Sequence, residues 1–238
     1  MSWLANLFGG SPSGATALSP QQTAALDAWQ KLPRADLSQS HYRTRCVVVD
    51  VEASGLHMGK DRLISIGAVA VSEGVIDATD AFEVVLRQDE VSSHENILIH
   101  GIGGSAQREG VAPADALLSF LRYVGRAPLI AYHAEFDQVM IGKAMREYLG
   151  HEPELGWVDL AWVLPELFRE HIDDQVLLDQ WLELFGIENI MRHNAVSDAY
   201  ATAKLLLVAQ QRATTLGKDS PSSFFDIEKA RRWVRRKL

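Results

Sequence analysis

The sequence predicts a mixed α/β fold: a five-stranded sheet with helices on both faces. Three observations carry this. Three β-rich runs lie before residue 86, and two of them are separated by turn residues. Beyond residue 113 the apolar period lengthens to that of a helix. Two short apolar runs then alternate with helical segments, the order β-β-β-α-β-α-β-α expected of a mixed sheet.

The elements follow in chain order. Residues 9–20, GGSPSGATALSP, read as a flexible linker, and PQQTAALDAWQKL reads as a short helix ending near Pro33. The compact domain is expected to begin near Arg43. Residues 45–52 form the first strand. RLISIGAVAVSEGVIDATDAFEVVL holds two more, joined at SEG, so the first three strands make an antiparallel meander. PADALLSFLRYV opens on Pro113 and places Ala116, Leu117, Phe120, Leu121 and Val124 at helical spacing. APLIAYH is a short buried strand, and FDQVMIGKAMREYL is a helix stopped by Gly150. WVDL is a last short strand, AWVLPELF a helix interrupted or begun near Pro165, and VLLDQWLELFG an amphipathic helix with a glycine stop. SDAYATAKLLLVAQQRAT is a long helix, and GKDSPSS a loop before a basic tail. The chain thus divides into an arm (1–42), a core domain (43–214), and a loop with a basic tail (215–238).

The 238 residues carry a net charge of −8, with 47% hydrophobic and 23% charged residues. This is the balance of a globular protein able to bury a core without cross-links. The negative charge argues against a protein that coats long nucleic acid, because such affinity comes from phosphate neutralisation. It leaves open an enzyme that grips a few nucleotides through metal ions. The single cysteine, Cys46, forms no internal disulfide and reads as a buried thiol. No segment reaches the roughly 18 apolar residues of a membrane helix, and MSWLANLFGG lacks a basic leader region, so a cytoplasmic protein is expected.

The stretch VVVDVEASGL sets two carboxylates, Asp50 and Glu52, into a strand built for burial. Residues i and i+2 share a face, so the two acids project side by side. Adjacent carboxylates raise each other's pKa unless a positive charge lies between them, and a hard divalent cation such as magnesium or manganese is the simplest one. Alone, the pair also fits a strand reaching its solvent end. Asp137 follows a second buried strand, where an acid at a helix N-terminus is equally at home. His193 and Asp198 stand five apart. On one continuous helix their faces would diverge by roughly 140°, so the helix is expected to start near Ala195 or Val196, with His193 on the preceding loop.

Taken in order, D-x-E, a later Asp and H-x4-D resemble the DEDDh family of 3′→5′ exonucleases, which has a ribonuclease H-like fold and includes the proofreading epsilon subunit of bacterial DNA polymerase III. VVVDVEASGL is similar to the family's D-x-E-T-T-G motif, ILIHGIGG to its I-H-G-I segment, AYHAEFD to its H-N-A-x-F-D motif, and RHNAVSDA to its third motif. The resemblance spans residues 44–210.

The resemblance implies hydrolysis of a terminal phosphodiester in single-stranded DNA or RNA with two Mg2+ or Mn2+ ions, DNA being favoured, to release 5′-mononucleotides. Asp50, Glu52, Asp137 and Asp198 would be the metal ligands and His193 the general base. Ala53, Ser54, Gly55, Leu56, Glu95 and His100 match positions near the terminal nucleotide. Each of the last two also fits an ordinary loop residue. An alternative role is an accessory or proofreading-type subunit docked on a DNA polymerase. Scattered carboxylates without a calcium loop fit a calcium-binding protein poorly. The sequence departs from the family pattern at Ala53-Ser54, in place of Thr-Thr, and at Tyr132-His133, in place of His-Asn. Of these, His133 reads as structural. The tail, with Arg231, Arg232, Arg235, Arg236 and Lys237, reads first as a solvated helix end and is also compatible with a nucleic-acid contact.

Overall fold

The computed structural model describes residues 17–237. Most of the expected linker, residues 9–16, lies outside them. Strand β1 (Cys46–Ala53) is central, flanked by β2 (Leu63–Ser72) and β3 (Val75–Val85) on one side and by β4 (Leu129–Ala131) and β5 (Trp157–Asp159) on the other. The order is β3-β2-β1-β4-β5; β1–β2 and β2–β3 pair antiparallel, β1–β4 and β4–β5 parallel. The meander was foreseen. Its turn places Glu73 at φ 53° and Gly74 at φ 73°, the left-handed pair that a tight two-residue hairpin needs.

The helices are α1 (Pro20–Gln30), α2 (His94–His100), α3 (Gly104–Arg108), α4 (Pro113–Val124), α5 (Glu135–Leu149), α6 (Leu160–Leu167), α7 (Leu178–Leu184), α8 (Ala195–Thr215) and α9 (Pro221–Arg235). Alternation along β1 divides the interior into two cores. Val47, Val49 and Val51 pack with α1, α4 and α5, whereas Cys46 and Val48 pack with α6, α7, α8 and α9. Asp50 and Glu52 continue the second row, so they emerge beneath α8.

Two expectations need correction. AWVLPELF is not broken at Pro165. The proline lies within α6, a short buried helix capped by Asp159 that runs on to Leu167. Residues 94–108 hold α2 and α3, which are too short for their periodicity to show in the sequence. The tail is a helix, but not a solvated one: α9 docks through Phe224 (1% exposed) and Ile227 (5%). Its basic residues are largely engaged internally: Arg231 with Glu166 and Asp173, Arg232 with Glu228 and Asp159, and Arg235 with Gln175. At the other end of the chain, α1 also joins the body. Leu26 and Trp29 are buried, and the Trp29 indole N–H donates to the Gly125 carbonyl at 2.7 Å.

One glycine positions α8. Gly67 lies opposite Asp50 in the β1–β2 register, and a Cβ there would sit 2.3 Å from the carbonyl carbon of Ala195 and from the amide nitrogen of Val196. The bare backbone lets the first turn of α8 rest on the sheet beside Asp50.

Candidate active site

Three elements bring the acids together. A register shift in β1 between Glu52 and Ala53 ends the regular pairing where the strand meets the cleft, as bulges do at functional edges. Asp50 and Glu52 face the first turn of α8, and one oxygen from each of Asp50, Glu52 and Asp198 lies within 4.8 Å of the others. Asp137, in the first turn of α5, is buried and adds its charge beside Asp50.

The electrostatics follow from this crowding. Burial, then the charges of Asp137, Asp198 and Glu52, push the Asp50 carboxyl well above the usual range, with Arg192 opposing. Burial and Asp198 push Glu52 up to about 8. Burial also raises Asp137, opposed by its own backbone amide and by that of Val51. An all-oxygen donor set, buried and mutually repelling, suits a hard divalent cation.

Asp198 is the best-anchored acid. The His193 amide donates to its Oδ2 at 2.8 Å, while Asn189 and the Arg192 guanidinium (3.0 Å) donate to Oδ1. Asn194 caps α8 by accepting from the Ser197 amide at 3.0 Å, so the helix begins where the sequence placed it. His193 itself is exposed on the preceding loop, at φ 60°, and its side chain borders the cleft.

The cleft has a volume of about 860 Å³. Asp50, Glu52, Asp137, His193 and Asp198 all line it, together with Ala53, Gly55, Leu56 and His100. Ser54 and Glu95 do not. The Ser54 hydroxyl turns away to donate to Asp61 at 2.9 Å, and it accepts from the Arg62 amide at 3.0 Å. Glu95 lies exposed on α2, and its neighbour Asn96 faces the cleft instead, donating to the Ala53 carbonyl at 2.8 Å. His100 is buried, and both its ring nitrogens have partners: Nδ1 accepts from the Ile102 amide at 3.0 Å, and Nε2 meets Ser92 Oγ at 3.3 Å. It shapes the wall, and its ring nitrogens are not free to bind a sugar or a phosphate. Leu56 is 90% exposed and stands at the rim as an apolar platform.

The far wall was not foreseen. Leu177, Leu178 and Asp179, at the start of α7, face the cleft, and Arg192 bridges Asp179 and Asp198 at 3.0 Å each. An arginine directly before His193 was the available signal. At the AYHAEFD departure, His133 takes a left-handed φ of 59°. Asn and His tolerate that conformation better than most residues do, which accounts for a His where the resembled motif has Asn.

Comparison with known proteins gives consistent results. Residues 47–206 match the exonuclease family of the RNase T type. DNA polymerase III PolC-type from Bacillus subtilis is 30% identical over 175 residues, 72% of this chain and 12% of that protein. The same type of polymerase from Caldanaerobacter subterraneus is 27% identical over 190 residues, 80% of this chain and 13% of that one. The chain therefore spans about an eighth of the length of these relatives. Among solved structures, E. coli Exonuclease I in complex with a dT13 oligonucleotide superposes with a TM-score of 0.60 at 21% identity, over 73% of this chain and 42% of that one. Exonuclease X in complex with 5′-overhanging duplex DNA gives 0.58 at 20% identity, over 77% and 99%. These two share the ribonuclease H-like fold.

Proposed function

The chain belongs to the exonuclease family of the RNase T type, and from that premise we propose that it is a metal-dependent 3′→5′ exonuclease acting on single-stranded nucleic acid. The observation that supports this most is the meeting of Asp50, Glu52 and Asp198 oxygens within 4.8 Å, inside the family-matched segment. Asp50, Glu52 and Asp198 would hold one divalent ion, and Asp50 with Asp137 a second, both Mg2+ or Mn2+. Such ions, when bound, supply Lewis acidity toward the phosphate and lower the pKa of water.

The remaining roles fall to the chain. His193, at the rim and open to solvent, takes the proton of the attacking water on a ring nitrogen. Its loop is held by the His193 amide on Asp198, so base and ligand move together. Backbone at Ala53 and Gly55 lies against the terminal sugar, and Leu56 packs on the base. Ser54, which organises its own loop through Asp61, acts on that loop rather than on the substrate. The catalytic body is residues 43–214, with α1 and α9 as flanking supports.

DNA is the first substrate to test, because the two structural relatives described above hold DNA. A 5′-labelled single-stranded oligonucleotide should shorten as a ladder and release 5′-mononucleotides with Mn2+ or Mg2+. Asp50→Ala and His193→Asn should abolish or strongly reduce this while remaining folded. An intact oligonucleotide after incubation with folded, metal-bound protein would refute the reading.

A second role, as a proofreading-type subunit docked on a polymerase, is favoured by the polymerase relatives, in which the matching stretch is 12–13% of a much longer chain. Capture of a purified replicative polymerase, undiminished by Asp50→Ala, would support it.

A further inference from the structure

We propose that α9 is a positioning element for the loop that leads into α5 and Asp137, acting through Arg232, Glu228 and Asp159. This rests on reading Asp137 as a metal ligand. The family match ends at residue 206, so α9 lies beyond it.

The linkage consists of a short series of bonds. Asp159, 3% exposed at the end of β5, accepts on Oδ1 from the amides of His133 and Ala161, both at 2.9 Å. The first of these bonds fixes His133 in its left-handed conformation, four residues before Asp137. Asp159 is fixed in turn from α9. Its own amide donates to Glu228 Oε2 at 2.9 Å, and Arg232 donates to Glu228 Oε1 at 2.7 Å and to Asp159 Oδ2 at 3.4 Å. Glu228 and Arg232 stand four residues apart on one face of α9, and the Arg232 guanidinium also lies over the Trp162 ring at 4.9 Å.

Docking and positioning use different residues. Phe224 and Ile227 supply the buried apolar contact, and Arg231 pairs with Glu166 and Asp173, away from β5. Glu228 and Arg232 alone among the described α9 residues bond to Asp159. A non-glycine residue at positive φ persists only where its surroundings hold it. Here the holding group is a buried carboxylate whose second oxygen faces an arginine 73 positions away in sequence. Partners of this outer kind commonly change metal affinity or activity by about 10- to 100-fold.

The test compares the full-length protein with Arg232→Ala, Arg232→Lys and Arg231→Ala. Three quantities are read: Mn2+ affinity by calorimetry, amide exchange over residues 132–138, and kcat and KM on the oligonucleotide. For Arg232→Ala we expect faster exchange at His133, roughly tenfold weaker Mn2+ binding, and a lower kcat with KM little changed. Arg232→Lys should recover part of each. Arg231→Ala should lower the thermal midpoint and leave Mn2+ affinity and His133 exchange as in the parent protein. Equal effects of Arg231→Ala and Arg232→Ala on exchange and affinity would overturn the proposal, as would no effect of Arg232→Ala on either. Absence of nuclease activity in the parent protein would refute the exonuclease reading, while exchange and calorimetry would still decide the role of α9.

Discussion

The main-chain amide of His193 donates to the Asp198 carboxylate at 2.8 Å, so the loop bearing one and the helix bearing the other form a single unit. Substitution should therefore act differently according to shape. Asp198→Asn keeps an oxygen that accepts this bond, and the loop should stay ordered. Asp198→Ala should loosen residues 189–194, seen as faster amide exchange. Both should lose activity at least as much as the roughly 10- to 100-fold typical of losing an outer partner, because the negative charge proposed to hold the metal is gone in each. Equal exchange in the two variants would disprove the coupling.

The raised carboxyls dictate how stability depends on pH. Glu52 has an ordinary value of 4.5, and the folded protein lifts it to about 8, with Asp50 and Asp137 also raised. Between those values the unfolded chain has released protons that the folded protein retains. Metal-free stability should therefore be greatest at the acid end of the window and fall as pH rises from about 4.5 toward about 8. Saturating Mn2+ should flatten the slope and release protons on binding. Thermal midpoints across this range, with chelator and with Mn2+, are the measurement.

Arg192 lies against Asp198 and Asp179, and its charge opposes the upward shifts of Asp50 and Glu52. Arg192→Gln removes a cation from the acidic cluster. The metal-free protein should become less stable at neutral pH. Mn2+ should bind several-fold more tightly, about two- to tenfold, since like-charge repulsion from the guanidinium is gone. Calorimetric titration would decide this, and weaker Mn2+ binding would contradict it.

Gly67→Ala should damage the site without touching an acid. The added methyl would meet Ala195 and Val196 backbone at 2.3 Å, forcing α8 away from β2. Overpacking of this kind costs about 1–3 kcal/mol. Chemical denaturation should show that loss, and Mn2+ affinity should fall with it because Asp198 moves with the helix.

Features carried by local pattern were legible in the sequence: the strand acids, the hairpin at SEG, the start of α8, and the valine strand built for burial. What was hidden depends on distant partners. Nothing near Arg232 announces Asp159, and nothing near His100 shows that both its nitrogens are engaged by Ser92 and Ile102. Glu95 and Asn96 are adjacent, and which of them faces the cleft depends on how the short helix α2 sits. Only the folded chain settles that. The Asp179–Arg192 wall joins two elements 13 residues apart through side chains, and no periodicity reports such a pair.

The two cores on either side of the sheet give the site a mechanical meaning. Asp137 comes from the α5 layer, Asp198 from the α8 layer, and Asp50 from the strand between them. Ions held as proposed, one by Asp50 with Glu52 and Asp198 and one by Asp50 with Asp137, would together act as a rivet through the sandwich, fastening both layers at the edge where β1 runs out. Resistance to a protease along that edge would then serve as a gauge of ion occupancy, readable in a crude extract with no substrate present.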